Sequence, residues 1–411
     1  MIPNTLLSHK KILIGITGSI SAYKSIELIR HLTKAGAEVR VIMTDGAKRF
    51  ITALTIETLT GNQILDEDNE NWHSDHNHIG IGKWADAFII APTTANTINK
   101  LSHGIADNLL TQTALAYDRE KLIAPAANTA MIENPLTKAS LQLLRSSNYT
   151  IVSPQTKELA CKTEGNGALA EPIDIFYATC KLLLKDPFWI SRPAIVTGGG
   201  TLEKIDDVRY ISNFSSGKMA SSLVLALYFK GADVTFISSA FPTLLPDDID
   251  SVKVQSASEM QENLVDSIHL AKETIKTDTN QKEPYLFMAA AVADYSPKSV
   301  QGGKLKKGVL GENWNIEMST NIDILASIDK TDIKAIGFKA EMDDQVAELN
   351  ASDMLVKKDL DAVCLNLLQD SQSFGSDDNA VTIFTKQAPI TLDTKDKLSL
   401  SLEILVGVQD L

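Results

Sequence analysis

Short apolar runs alternate with amphipathic stretches along the whole chain. In the first half, residues 12–16, 39–43, 87–91, 122–126 and 150–152 read as strands, each bounded by turn formers. After the first run, Ala22, Ile26, Ile29 and Leu32 recur at helical spacing and Gly36 stands where that helix would end. Past Asp186-Pro187 and Ser191-Arg192-Pro193 the alternation begins again, with runs at 194–196, 234–237, 285–290, 334–338 and 362–365. Then the pattern changes. Residues 380–385 and 389–392 read as a hairpin added at a sheet edge, followed by a helix from about Lys397. Strand–helix alternation of this kind predicts parallel sheets with helices on both faces.

The expectation is therefore an α/β protein of two doubly wound parallel-sheet domains, residues 1–189 and 190–411, with a helix at about 174–184 ending the first. A chain of 411 residues exceeds what one core usually organises. No apolar run approaches the ~18 residues of a membrane helix, and the N-terminal segment lacks the pattern of a signal peptide. Three scattered cysteines, Cys161, Cys180 and Cys364, do not make a disulfide framework. These features predict a reduced, cytoplasmic protein. A net charge of −13 without a long basic run argues against nucleic acid as a partner. The dense basic cluster is Lys304-Leu305-Lys306-Lys307.

Each half opens with an apolar strand, a small-residue turn and a helix, an arrangement that aims backbone N–H groups at a phosphate. The first turn contains Gly15, Gly18, Ser19 and Ser21, without the third glycine of a dinucleotide fingerprint. Hydroxyl residues at strand ends (Ser19, Ser21, Thr44, Thr93, Thr94) suit a single phosphate, as in a mononucleotide or flavin mononucleotide site. Downstream come His78-Ile-Gly-Ile-Gly, Ala91-Pro-Thr-Thr-Ala-Asn96, Pro125-Ala-Ala-Asn128-Thr-Ala-Met131 and Ala160-Cys161 with Gly165 and Gly167. The trio His73, His76 and His78 lies in a polar segment with no matched cysteine or acidic set, which argues against a metal site there.

Over about residues 10–185 these stretches resemble the flavin-dependent cysteine decarboxylases. The resemblance implies a flavodoxin-like domain holding FMN through Gly18, Ser19, Ser21, Thr44, Thr93 and Thr94. It implies His78 as the base, Asn128 as the group that holds the substrate carboxylate, Met131 beside the substrate and Cys161 as proton donor. The turn after the cysteine departs from the family: Lys162, Thr163, Ala168 and Leu169 replace its usual residues, and Ala127 stands in its Pro-Ala-Met-Asn.

The second half carries Thr197-Gly-Gly-Gly200-Thr, then Arg209-Tyr-Ile-Ser-Asn213-Phe-Ser-Ser-Gly217-Lys218-Met. Ala289-Ala-Ala-Val-Ala-Asp294-Tyr and Gly337-Phe338 follow. The three glycines read as a place where backbone approaches a triphosphate. From about 193 to 385 the chain resembles the phosphopantothenate–cysteine ligases, which implies a Rossmann-like fold and CTP, L-cysteine and 4′-phosphopantothenate as substrates. By that resemblance Asn213 supports conversion of an acyl-cytidylate, Lys304 neutralises phosphate charge, and Arg209 contacts substrate. Met288, Ala289, Ala290, Asp294, Ile322, Asp323, Ile324, Leu325, Phe338 and Lys358 would surround CTP, and Mg2+ is expected with the polyphosphate. The family's lysine four positions before Lys358 is Met354 here, and Lys357 is the nearest substitute.

Taken together, the two resemblances imply a bifunctional enzyme of coenzyme A biosynthesis. It would be a homo-oligomer of ligase dimers and decarboxylase trimers, with a dodecamer as one form. The alternative is an active ligase joined to a flavin-binding module without chemistry of its own.

Overall fold

The computed structural model describes residues 2–158, 164–277, 282–306, 312–368 and 375–411. The contacts divide it into two units, residues 2–184 and 185–411. In the first unit β1 (Lys11–Ile16), β2 (Glu38–Met43), β3 (Ala87–Thr93), β4 (Lys121–Pro125) and β5 (Tyr149–Ile151) form one sheet in the order β2-β1-β3-β4-β5. Every pairing is parallel: Ile14 stands beside Val41 on one side and Ile89 on the other, and Ile123 beside Ile90 and Ile151. Strands covered on both faces need not alternate, and β3 is buried along its whole length. One face packs Leu13, Phe88, Ile90 and Ile123 with Leu110 and Leu144 from the helices; full burial contributes roughly 1.5–3 kcal/mol for each large apolar side chain.

The first helix corrects the expected face. A 3-10 turn over Ile20–Tyr23 precedes the α-helix Lys24–Lys34, and its tighter winding resets the phase. Leu28 joins Ile29 and Leu32 in the core, while Ile26 is only half-buried. After β5, β6 (Gln155–Glu158) and β7 (Glu164–Ala168) pair antiparallel as a separate hairpin.

The second unit is an eight-stranded sheet built on β8 (Pro193–Gly198), β11 (Asp233–Ser238), β12 (Asp250–Lys253), β13 (Tyr285–Met288), β16 (Lys334–Glu341) and β17 (Ala362–Leu367). These six run parallel in the order β12-β11-β8-β13-β16-β17. By position in the chain that is 3-2-1-4-5-6, the dinucleotide-fold order, whereas the first unit has the flavodoxin order 2-1-3-4-5. β18 (Asp378–Phe384) and β19 (Ile390–Asp396) extend the edge antiparallel, and a helix follows at Lys397–Gly407. Two small ladders lie outside this sheet, β9 (Glu203–Lys204) with β10 (Tyr210–Ile211) and β14 (Tyr295–Pro297) with β15 (Met318–Thr320).

Two details differ from the sequence pattern. The strand expected over 285–290 ends at Met288, so Ala289 and Ala290 leave the sheet and become available to a site. Residues 185–189 belong with the second unit: Trp189 is fully buried there, edge-on to Tyr285 at 4.9 Å. In both units the strand order reverses once, between β1 and β3 and between β8 and β13. Crevices open at such reversals, beyond the strands' C-terminal ends.

Candidate active sites

In the first unit the ends of β1 to β4 open onto one cavity of about 1020 Å³. Its wall holds Gly18, Ser19, Ser21, Thr44, Thr94, Asn128 and Met131, seven of the residues singled out from the sequence. Most do local work as well. Ser19 caps the 3-10 turn, accepting from the Ser21 N–H at 3.2 Å. Thr44 caps Asp45–Lys48, Thr94 caps Ala95–Ser102, and the Asn128 amide oxygen accepts from the Ala130 N–H at 2.9 Å. Asn108, also in the wall, caps Leu109–Ala116. Strand after strand thus ends in a polar cap whose helix starts at the cavity, a setting favourable to negative charge. The Thr17 hydroxyl ties β1 to β3 across the reversal, donating to the Pro92 carbonyl at 2.7 Å and accepting from the Thr94 N–H at 3.1 Å.

Two expected residues stand elsewhere. Thr93 is buried, its hydroxyl donating to the Ile90 carbonyl at 2.6 Å, and it does not line the cavity. A side chain on β3 itself points into the sheet packing; the next residue, Thr94, is the one that turns outward. His78 also lies off the cavity wall. It begins the helix His78–Trp84, with Nδ1 2.9 Å from the Glu70 carboxylate and the ring edge-on to Trp72 at 5.2 Å. The Glu70 contact fixes the ring's orientation and leaves Nε2 as the outward nitrogen. Cys161 falls outside the described residues. Among the described residues no group of three His, Cys, Asp or Glu side chains could hold a metal, so His73, His76 and His78 form no such site.

The hairpin β6–β7 supplies Gly167 and Ala168 to the wall, and with them Lys157, which the sequence did not single out. Gly167 lies flat on the turn before Asn128, its carbonyl accepting from the Ala127 N–H at 3.0 Å; a Cβ there would meet the Ala127 carbonyl oxygen at 2.1 Å. The glycine is what lets the hairpin sit against the Asn128 turn. Lys157 on β6 pairs with Glu171, which also takes Lys24 at 3.2 Å, and both lysines line the cavity. Lys157 beside it holds the Glu171 carboxyl below its ordinary range.

The second unit has a smaller cavity of about 200 Å³ at the start of the helix Lys218–Lys230. Gly217, the residue before that helix, provides no side-chain cap. Ser215, Ser216, Lys218, Ala289, Ala290 and Phe338 line the cavity, joined by Lys339, Asn366 and Lys397. The last three were not legible in the sequence. Lys397 is 7% exposed and donates to the Ser376 carbonyl; burial and the neighbouring Lys218 lower its pKa. The Asn366 amide oxygen is buried without a partner. Lys218 pairs with Asp377 at 2.7 Å and Lys339 with Glu341 at 3.2 Å, and the Ser216 hydroxyl accepts from the Lys218 N–H at 3.4 Å. A polyanion would compete with those carboxylates for three ammonium groups at a helix start.

Around it, the other predicted residues divide. Asn213 is exposed and donates from Nδ2 to the Val292 carbonyl at 3.0 Å, next to Ala289–Ala291 in the chain. Asp323 caps Ile324–Ser327 and pairs with Lys358 at 2.8 Å, beside exposed Ile322. The Asp294 carbonyl accepts from the Asn321 N–H at 2.8 Å, bringing that exposed acid to the same edge. Met288, Ile324 and Leu325, in contrast, are core residues. Met354 packs against that core and Lys357 pairs with Asp353 along its own helix. Lys304 is exposed on a loop, and Arg209 is engaged with Asp206.

The glycine run 198–200 has a packing use that its sequence did not show. None of the three lines the cavity. Gly200 lies against the Asn213 backbone, where a Cβ would stand 2.5 Å from the Asn213 carbonyl oxygen. It seats the loop that carries Asn213.

Comparison with known proteins agrees with this division. The Flavoprotein family model matches residues 2–184, and the model described as DNA/pantothenate metabolism flavoprotein C-terminal domain matches 189–411. The coenzyme A biosynthesis bifunctional protein CoaBC of Vibrio cholerae is 38% identical over 411 residues, covering 98% of this chain and 99% of the relative. That of Bacillus subtilis is 36% identical, covering 97% of each. A solved PPC decarboxylase mutant complexed with pantothenoylaminoethenethiol is 34% identical over 41% of this chain and 96% of its own, with a TM-score of 0.38. The chain therefore belongs to the family of the coenzyme A biosynthesis bifunctional protein CoaBC, enzymes that join a decarboxylase domain to a ligase domain.

Proposed function

We propose that residues 185–411 join L-cysteine to 4′-phosphopantothenate at the expense of CTP, and that residues 2–184 decarboxylate the product with FMN. The observation that carries this is the pair of unlike cavities. One is roomy and rimmed by hydroxyl and amide caps, with two lysines and two carboxylates among them; the other is small, and its charged lining residues are three lysines.

In the ligase step the substrate carboxylate attacks the α-phosphorus of CTP and pyrophosphate leaves; cysteine's amine then attacks the acyl carbon and CMP leaves. The triphosphate would sit against Lys218, Lys339 and Lys397, while the unpartnered amide oxygen of Asn366 would take a donor such as a substrate hydroxyl or amine. Lys304 neutralises charge as the acyl-cytidylate forms. Asn213, seated on Gly200, holds the intermediate for the amine. Asp323 with Lys358 faces the nucleoside end. Mg2+ would arrive with the nucleotide, held mainly by its phosphates, as such ions commonly are.

In the first cavity the capped turns at Ser19, Thr44 and Thr94 would hold FMN through its phosphate and polar edges. Bound there, the flavin provides the reversible thiol oxidation that gives decarboxylation an electron sink. Asn128 holds the leaving carboxylate and Met131 packs beside it. Cys161 donates the closing proton. His78 serves as base with its ring set by Glu70. Because it lies off its own chain's cavity wall, we assign it to a cavity completed by a second copy, in keeping with the expected decarboxylase trimer. We place the protein in the cytoplasm; no helix of the described residues is long and apolar enough to cross a membrane.

Incubation of the chain with FMN, CTP, Mg2+, L-cysteine and 4′-phosphopantothenate is expected to yield CMP, pyrophosphate, CO2 and 4′-phosphopantetheine. Ligation without CO2 would instead favour a flavin-binding module without chemistry.

A further inference from the structure

Lys304 belongs to a loop that has little to hold it in place. Among the described residues its ammonium makes no hydrogen bond or ion pair, and the segment is exposed. What fixes the loop is a second loop, the tip of the β9–β10 hairpin. Backbone ties run between them: the Gln301 N–H donates to the Ile205 carbonyl at 3.1 Å, and the Asp207 N–H to the Gly303 carbonyl at 3.3 Å. The Asp207 carboxylate accepts from the Gly303 N–H at 2.6 Å.

At the centre is Asp206, 1% exposed. Its Oδ1 accepts from the N–H groups of Val208 at 2.9 Å and Arg209 at 2.8 Å, which shapes the hairpin tip. Its Oδ2 accepts from the Leu305 N–H at 3.1 Å and from Arg209 Nε at 3.0 Å, with Nη2 also in contact. Arg209 Nη2 then donates to the Leu305 carbonyl at 2.9 Å. Both backbone groups of Leu305, the residue after Lys304, are thereby held by one ion pair. The Arg209 guanidinium lies 4.6 Å from the centre of the Trp314 ring, which steadies it from one face. At its other end the hairpin runs from Ile211 directly into Ser212 and Asn213.

We infer that Asp206 is a positioning residue for the ligase step, holding Lys304 and Asn213 in one frame through Arg209 and Leu305. This rests on the ligase reading above. It gives Arg209 a different task from the substrate contact expected of it, because two of its three guanidinium nitrogens are committed to Asp206 and Leu305. The pair also keeps the Asp206 carboxyl far below the ordinary carboxylate range, so it stays charged wherever the enzyme works. Asp206 acts on Lys304 without touching the reacting atoms, and this marks it out from a merely structural carboxylate: in the pyrophosphate-releasing step, which precedes the one assigned to Asn213, its loss should matter only while Lys304 is there to be positioned.

The test is a double-mutant cycle on the full chain, reading pyrophosphate release from CTP and 4′-phosphopantothenate in one turnover. Asp206→Asn should slow release about 10- to 100-fold, the scale of a catalytic group displaced by about an ångström, with the KM for CTP within about 3-fold of wild type. In a Lys304→Gln background the same change should cost less than about 3-fold, since groups acting as a unit are not additive. Trp314→Leu, which removes a half-buried ring and none of these hydrogen bonds, should show a loss of about 3- to 10-fold that also vanishes without Lys304; it carries the test should Asp206→Asn not fold. A wild-type rate in Asp206→Asn, or a full multiplicative loss in the Lys304→Gln background, would overturn the inference. A wild-type chain that released no pyrophosphate would overturn the ligase reading and this inference with it.

Discussion

The two units solve the same geometric problem with different chemistry. Each places a crevice where the strand order of a parallel sheet reverses. In the first unit the helices that start there are capped by Ser19, Thr44, Thr94 and Asn128, and the wall sets these neutral caps beside Lys24 and Lys157, with Asp45 and Glu67 offsetting the lysines' charge. In the second the leading helix follows Gly217, which has no side chain to cap it, and the lysines are Lys218, Lys339 and Lys397. A ligand with one phosphate can be held by helix starts alone. A triphosphate needs compensating charge, particularly in a protein of net charge −13. The order of the strands decides where a site opens; the residues at the strand ends decide what it holds.

That contrast can be broken one side at a time. The largest effect is expected from Gly200→Val, whose side chain would collide with the Asn213 carbonyl. Ligation should fall about 10²- to 10³-fold, while decarboxylation of supplied 4′-phosphopantothenoylcysteine stays unchanged; assaying the two steps separately checks this. The mirror experiment is Gly167→Val, which drives the hairpin off the Asn128 turn. We expect CO2 release to drop about 10²-fold with CMP formation unaffected, and the flavin absorbance should show whether FMN is still held. A smaller change is expected from Lys397→Met, which removes a buried ammonium and keeps much of the stem. Losing a charge-assisted contact to phosphate should raise the KM for CTP about 10-fold, measured by initial rates.

The least effect concerns the tether of the first cavity's hairpin. Lys157 and Lys24 lower the Glu171 pKa from 4.5. A carboxylate so shifted adds stability above its unfolded pKa and loses that contribution as pH falls through its folded value. Thermal melts of wild type and Glu171→Gln should therefore differ slightly near neutral pH and converge as the pH falls well below 4.5. A difference that grew in acid would refute the tether.

Much of the scaffold was readable because buried parallel strands leave an unmistakable mark. β1, β2, β3, β8 and β11 are apolar runs whose neighbours are turn formers. The added edge of β18 and β19 and the last helix also stood out, because apolar periodicity changes there. β12 did not. Asp250–Lys253 is mostly exposed, with no apolar pattern to betray that it pairs with β11. The short ladders β9–β10 and β14–β15 escaped for the same reason, being held by backbone bonds and side-chain ties rather than by a core. The site residues follow this division. Gly18, Ser19, Thr44, Thr94 and Asn128 sit at strand ends, and local sequence shows them. Lys339, Asn366 and Lys397 lie on three separate elements far apart in the chain, and only the sheet's closure brings them to one cavity.

The sequence by itself determined that the chain folds as two doubly wound α/β units, and its motifs pointed to two different chemistries. It could do so because burial and capping are local demands, met by residue type and spacing. Only the tertiary structure decided that Thr93 faces the sheet and Thr94 the cavity, and that Gly200 seats Asn213. It also decided that the Asp206–Arg209 pair holds both backbone groups of Leu305, 96 residues beyond Arg209. Those outcomes depend on which backbone comes to rest against which, and no spacing along the chain encodes a distance through space.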